Sequence, residues 1–162
     1  MMPRHNARLN VNPSIPSPPA PATGRRMCFE INGSLLLVIH GASPPADAEW
    51  DEFLAAMTGI LDRHPPALVV TAGGGPTPAQ RKRMNDLYKG MSPRTAVVCS
   101  STRTLCIALA VGLFNPALRA FKATEMESAM AHVGIPQAVR RLARLRIDAL
   151  YGEIGRASAS SA

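Results

Sequence analysis

The stretch MCFEINGSLLLVIHG at residues 27–41 decides how the chain is read. Two apolar runs flank Asn32-Gly33, and Asn-Gly readily takes the positive φ angles of the tight turn whose twist matches antiparallel strands. A hairpin of about 27–31 with 34–40 is expected. Leu35 to Ile39 is apolar without a break, so the second strand is expected to be central and covered on both faces.

Beyond the hairpin the apolar period changes. Trp50, Phe53, Leu54, Met57, Ile60 and Leu61 share one helical face. They predict a helix of about 47–63, capped by Asp47, with Glu49, Asp51 and Glu52 solvated near the positive end of its dipole. Pro65-Pro66 stops it. ALVVT at 67–71 reads as a buried strand, and Thr77-Pro78-Ala79-Gln80 is a capping box opening the next helix. That helix carries Met84, Leu87, Tyr88 and Met91 as a narrow stripe, with Arg81, Lys82 and Arg83 toward solvent. TAVVC at 95–99 is a third buried strand. It leads into a helix over Leu105–Phe114 that is apolar nearly all round and must be covered by the C-terminal helix or a second subunit. ALRAFKA at 117–123 reads as an edge strand whose Arg119 and Lys122 discourage stray pairing. A second capping box at Thr124–Glu127 opens a short helix ending near Gly134. The last helix follows Pro136 with Ala138, Leu142, Leu145 and Ala149 as its packing face. Strands alternating with helices after a hairpin specify the α/β class: a mixed, mostly parallel sheet with helices packed on it and an extra C-terminal helix.

At 162 residues with 46% hydrophobic content, the chain suits one domain plus tails. Residues 1–26 hold six prolines and overlapping PxxP spacings and read as a disordered Pro/Arg-rich tail. Residues 27–135 form the domain, 136–156 the C-terminal helix and 157–162 a second tail. The net charge of +7 divides as +4 in residues 1–26, zero in 27–135 and +3 in 136–162. A folded nucleic-acid surface is therefore not expected, whereas peripheral contact of the basic ends with acidic partners or a membrane surface remains open. Cys28, Cys99 and Cys106 lie in apolar runs without metal-ligand spacing and read as reduced, buried thiols of a cytoplasmic protein. No metal or cofactor is expected, and no run is long enough to span a bilayer.

The hairpin, the Trp50 helix, VVTAGGGPTPAQR at 69–81, AVVCSSTRT at 96–104 and FKATEMESAMAHVGI at 121–135 resemble, in their order, the STAS domain of bacterial anti-sigma-factor antagonists and its divergent STAS/SEC14-like relatives. The resemblance implies a non-enzymatic regulatory or scaffolding module that acts through protein contacts. In antagonist members the switch is a phosphorylated Ser or Thr, for which Thr77 is the matching position, although no Asp precedes it here.

The carboxyl ends of parallel strands are where ligands gather. Three loops should meet there: His40 to Ser43, Thr71 through Gly73, Gly74 and Gly75 to Thr77, and Ser100, Ser101, Thr102 and Arg103. Helix N-termini and Arg103 favour an anion, and the glycines permit close approach. Two alternatives to the contact module follow: a binding module for a lipid-like or anionic small molecule, and a small hydrolase using His40 with Ser43, Ser100 or Ser101. AGGGPT is neither a P-loop nor a dinucleotide fingerprint, so a nucleotide enzyme is not expected. Against the hydrolase, no carboxylate is placed to orient the imidazole, there is no GxSxG elbow, and His40 reads as a hydrogen-bonded strand-end histidine. The expected partner is another protein or a second copy of the chain.

Overall fold

The computed structural model describes residues 24–33, 35–112 and 116–159. The PxxP spacings, residues 160–162 and Phe114 lie outside the described residues. β1 (Met27–Asn32) pairs antiparallel with β2 (Leu35–His40), Met27 facing His40 and Asn32 facing Leu35. Gly33, at φ +59°, supplies a positive φ, but Asn32 does not share it as expected: it is the last residue of β1 and pairs with Leu35. β3 (Ala67–Thr71), β4 (Thr95–Cys99) and β5 (Leu118–Lys122) add in parallel, one after another, so the sheet runs in sequence order with β1 and β5 at its edges.

The helices α1 (Asp47–Thr58), α2 (Pro78–Leu87) and α3 (Thr102–Gly112) are the crossovers between successive parallel strands. Uniform right-handed crossovers in a sequentially ordered sheet place all three on one face. The opposite face is covered by α4 (Met126–His132) and α5 (Arg140–Ala159). There Leu37, Ile39, Leu68, Val70, Ala96 and Val98 pack against Ala129, Met130, Val133, Ile147 and Leu150 in one closed cluster.

The crossover face is less evenly covered. Trp50, Phe53 and Met57 of α1 seal Met27, Leu36, Val38 and Ala67, with Phe29 edge-on to Phe53 at 5.3 Å. α2 leans on α1 through Gln80, which is buried. The Trp50 Nε1–H donates to the Gln80 carbonyl at 3.1 Å, and Gln80 Nε2 donates to the Pro45 carbonyl at 3.1 Å and to Asp47 Oδ1 at 2.9 Å. α3 packs on β4 and β5. Between α2 and α3, Val69 and Val97 of the interior strands are only half-buried.

Several local expectations are corrected. The residue preceding α1 is Ala46, and its N–H is accepted by Glu49 Oε2 at 2.8 Å; Asp47 serves Gln80 instead of capping. Glu49 is not simply solvated, because its Oε1 accepts from the Arg26 N–H at 2.8 Å and so ties the start of β1 to α1. Glu52 pairs with Arg25 at 3.0 Å, so Arg25 and Arg26 of the expected tail are held against α1; Asp51 pairs with Arg83 at 2.7 Å, which links α1 to α2. α1 ends at Thr58 with Gly59 as its C-cap, and a 3-10 turn at Leu61–Arg63 completes the expected segment. Ahead of α4, Glu125 accepts from the Lys122 N–H at 2.8 Å, two residues upstream of the expected cap at Thr124.

α5 turns a different face to the sheet from the one expected. Ile147 and Leu150 are buried, with Ala143, Tyr151 and Ile154 packed beside them, whereas Ala138, Leu142, Leu145 and Ala149 are exposed. α5 lies on β1 and β2 and does not cover α3, whose Ile107 and Leu109 are about half exposed. Cys28 and Cys99 are buried as expected, but Cys106 on α3 is exposed. Burial raises the Cys28 thiol to about 11.

Candidate functional site

The strip that α2 and α3 leave uncovered is a cavity of about 880 Å3. That lies within the size range of small-molecule sites, roughly 300–1,000 Å3. Its floor is the sheet: Val38 and His40 from β2, Val69 and Thr71 from β3, Thr95 and Val97 from β4. Trp50 and Phe53 wall one end, Met84 and Tyr88 of α2 stand on one side, and Thr104, Ile107 and Ala108 of α3 on the other. A five-residue strand rises about 16 Å, so the floor is long enough for an extended molecule lying along it. Walls and floor are apolar through the middle, with His40, Thr71, Thr104 and Arg81 toward the carboxyl ends of the strands and Asn85, Lys89 and Thr95 toward their amino ends.

Side-chain alternation produces this division. Leu36, Val38 and His40 point to the crossover face, as do Ala67, Val69 and Thr71 on β3 and Thr95 and Val97 on β4. His40 is therefore the last residue of an apolar row, at the rim. It is 4% exposed, and its Nδ1 is fully buried without a hydrogen-bond partner. The expected hydrogen-bonded histidine is not what the structure shows at that nitrogen. Burial lowers its pKa to about 4, against a small opposing pull from the Glu49 carboxylate, so the imidazole is neutral at pH 7. An unpaired buried polar atom costs about 1–3 kcal/mol.

The glycine loop beside it is held by Thr71. Its Oγ donates to the Gly74 carbonyl and accepts from the Gly73 N–H at 3.0 Å, while the Gly74 N–H donates to the Gly41 carbonyl at 2.8 Å. Gly73, at φ +126°, makes the bend.

Of the sequence candidates, the structure brings His40, Thr71, Gly73, Gly74 and Gly75 together on the cavity wall. Thr77 is a helix cap as expected: its Oγ accepts from the Gln80 N–H at 3.2 Å and its own N–H donates to Gln80 Oε1 at 3.0 Å. Ser100 Oγ donates to the Thr71 carbonyl at 3.1 Å, and Ser101 Oγ shares a 2.8 Å hydrogen bond with Thr104 Oγ while accepting from the Thr104 N–H. Thr102 and Arg103 are exposed at the start of α3. None of Thr77, Ser100, Ser101, Thr102 and Arg103 lines the cavity.

Sequence reasoning missed Arg81, Thr104 and the half-buried valines. Arg81 is exposed as expected, yet it also lines the cavity mouth, its Nη1 donating to the Pro76 carbonyl at 2.8 Å. The only advance signal was the weak apolar stripe of α2, too thin to seal a sheet.

No group of His, Cys, Asp and Glu among the described residues is arranged to hold a metal ion, and no described helix is long and apolar enough to cross a membrane. No protein-family model matches the chain, and no curated protein or solved structure matches it.

Proposed function

We propose that this protein is a non-enzymatic, STAS-like regulatory module that binds a small amphipathic molecule between α2 and α3, and that the occupied form is the one that contacts a protein partner. The observation that carries the reading is the partly exposed pair Val69 and Val97, interior-strand residues that an ordinary α/β sheet buries on both faces. The apolar body of the ligand lies along these valines, and its head meets His40 at the rim. A neutral imidazole favours a hydroxyl or carbonyl head over a fully charged one. Binding rather than hydrolysis is supported by the placement of the serines, since none of Ser43, Ser100 and Ser101 lines the cavity with His40. A ligand filling the space beneath α2 would also bear on the Trp50–Gln80 contact, and so on the surface that α1 and α2 present.

Trp50, the single tryptophan, lines the cavity and is a built-in reporter. Titration with dodecanol is expected to shift its emission saturably, and His40→Phe to weaken binding about five- to tenfold, the worth of one hydrogen bond. Unchanged emission, together with native mass spectra showing no dodecanol adduct, would overturn the reading.

A further inference from the structure

We infer that the outward face of α5 is a homodimer seam, on which Leu142 and Leu145 meet the same residues of a second copy lying antiparallel across a twofold axis. These side chains are each 57% exposed, Val139 just ahead of them is 45% exposed, and Ala149 continues the stripe one turn on. They stand at the spacings of three and four that keep one helix face against a neighbour, while the sheet-packing face of the same helix is already filled by Ile147 and Leu150.

The charges beside the stripe identify the occupant. Three arginines of α5 are taken up within the chain: Arg140 and Arg144 both reach Glu127, at 3.2 Å and 2.8 Å, and Arg146 is paired with Glu30. Arg141 and Asp148, which flank the stripe, have no ion-pair partner among the described residues. They are seven residues, about 10 Å, apart along the helix. The midpoint between Arg141 and Asp148 falls within about one residue of the midpoint between Leu142 and Leu145. A single twofold axis therefore stacks the leucines and sets each Arg141 against the other copy's Asp148, as an isologous interface requires. Among the described residues, an anionic bilayer would meet one unpaired cation and one repelling carboxylate on this face, and so fits it less well. One helix face buries less than the roughly 800 Å2 per partner of a durable interface, so the dimer is a weak one, in the micromolar range.

Sedimentation equilibrium of the full chain tests this. The wild-type chain is expected to self-associate, and Leu145→Glu to weaken association at least tenfold without lowering the thermal midpoint, since Leu145 is exposed. Arg141→Asp and Asp148→Arg should each weaken it by several-fold alone. Mixed one to one, they should form a heterodimer, because the seam then carries two aspartates on one copy and two arginines on the other. A chain that stays monomeric at the highest soluble concentration, charge variants that dimerise like the wild type, or a mixture that fails to pair would each overturn the inference. So would binding to phosphatidylglycerol vesicles that depends on Leu145 while no self-association is seen.

Discussion

Replacing Val97 and Val98, one at a time, by tryptophan places the same bulk on opposite faces of one strand. Val98 is 1% exposed and sits in the closed cluster with Met130, Ile147 and Leu150. Overpacking there costs about 3 kcal/mol or more. Val97 faces the 880 Å3 cavity, where the larger ring meets open space and buries roughly 50 Å2 of additional apolar surface. At about 25 cal/mol per Å2 that contributes about 1 kcal/mol of stability. For a chain of this size each kcal/mol moves the thermal midpoint by roughly 2–4 °C. Val98→Trp is thus expected to melt about 6–12 °C lower, and Val97→Trp to melt at the wild-type temperature or up to about 4 °C higher. Differential scanning calorimetry of both variants reads the difference directly, and the Val97→Trp substitution should also abolish dodecanol binding. If Val97→Trp is as damaged as Val98→Trp, the crossover face is packed shut and the ligand reading falls with it.

His40 predicts a pH effect with a definite sign. Its folded pKa of about 4 lies below the free value of 6.5, so in that interval the unfolded chain takes up a proton that the folded chain refuses. The stability due to neutral His40 is complete above pH 6.5 and falls away as pH drops toward 4, by up to about 3 kcal/mol. Urea unfolding at pH 7 and pH 4.5 should show a smaller loss for His40→Phe than for the wild type, and equal losses would contradict the burial argument. In the glycine loop, a Cβ on Gly74 would overlap the Ser43 carbonyl oxygen and stand 2.6 Å from that of Gly41, whereas one on Gly75 meets nothing within 4 Å. Gly74→Ala should lose about 2–4 kcal/mol through that overlap and the strained hydrogen bond to Gly41, with Gly75→Ala close to neutral; two equal midpoints in urea would refute the loop packing.

Local chemistry was legible in the sequence wherever a short motif imposes its own geometry. Asn32-Gly33 located the hairpin to within a residue, Thr77 and Gln80 form the capping box their spacing implies, and the charged strand at 118–122 lies at an edge. Where two arrangements share one period, the sequence was silent. α5 has apolar residues on two faces, at 142, 145 and 149 and at 143, 147, 150 and 154, and only the shape of the sheet decides which is buried. The cavity was hidden for a related reason. Val69 and Val97 look the same in sequence as Val70 and Val98, and their exposure depends on where α2 comes to rest. That position is set by Gln80 reaching Pro45 and Asp47, more than thirty residues away, a tertiary contact that no local pattern encodes.

Because α5 closes over β1 and β2, the last helix in the chain order shields the first hairpin, with Arg146 on Glu30 and Ile154 against Gly41. During synthesis at about 5–20 residues per second, Leu37 and Ile39 leave the ribosome roughly 5–20 s before the helix that hides them. The nascent chain must carry a bare apolar sheet face through that interval, which makes the hairpin a natural station for a chaperone and makes any early stop codon before α5 a route to aggregation.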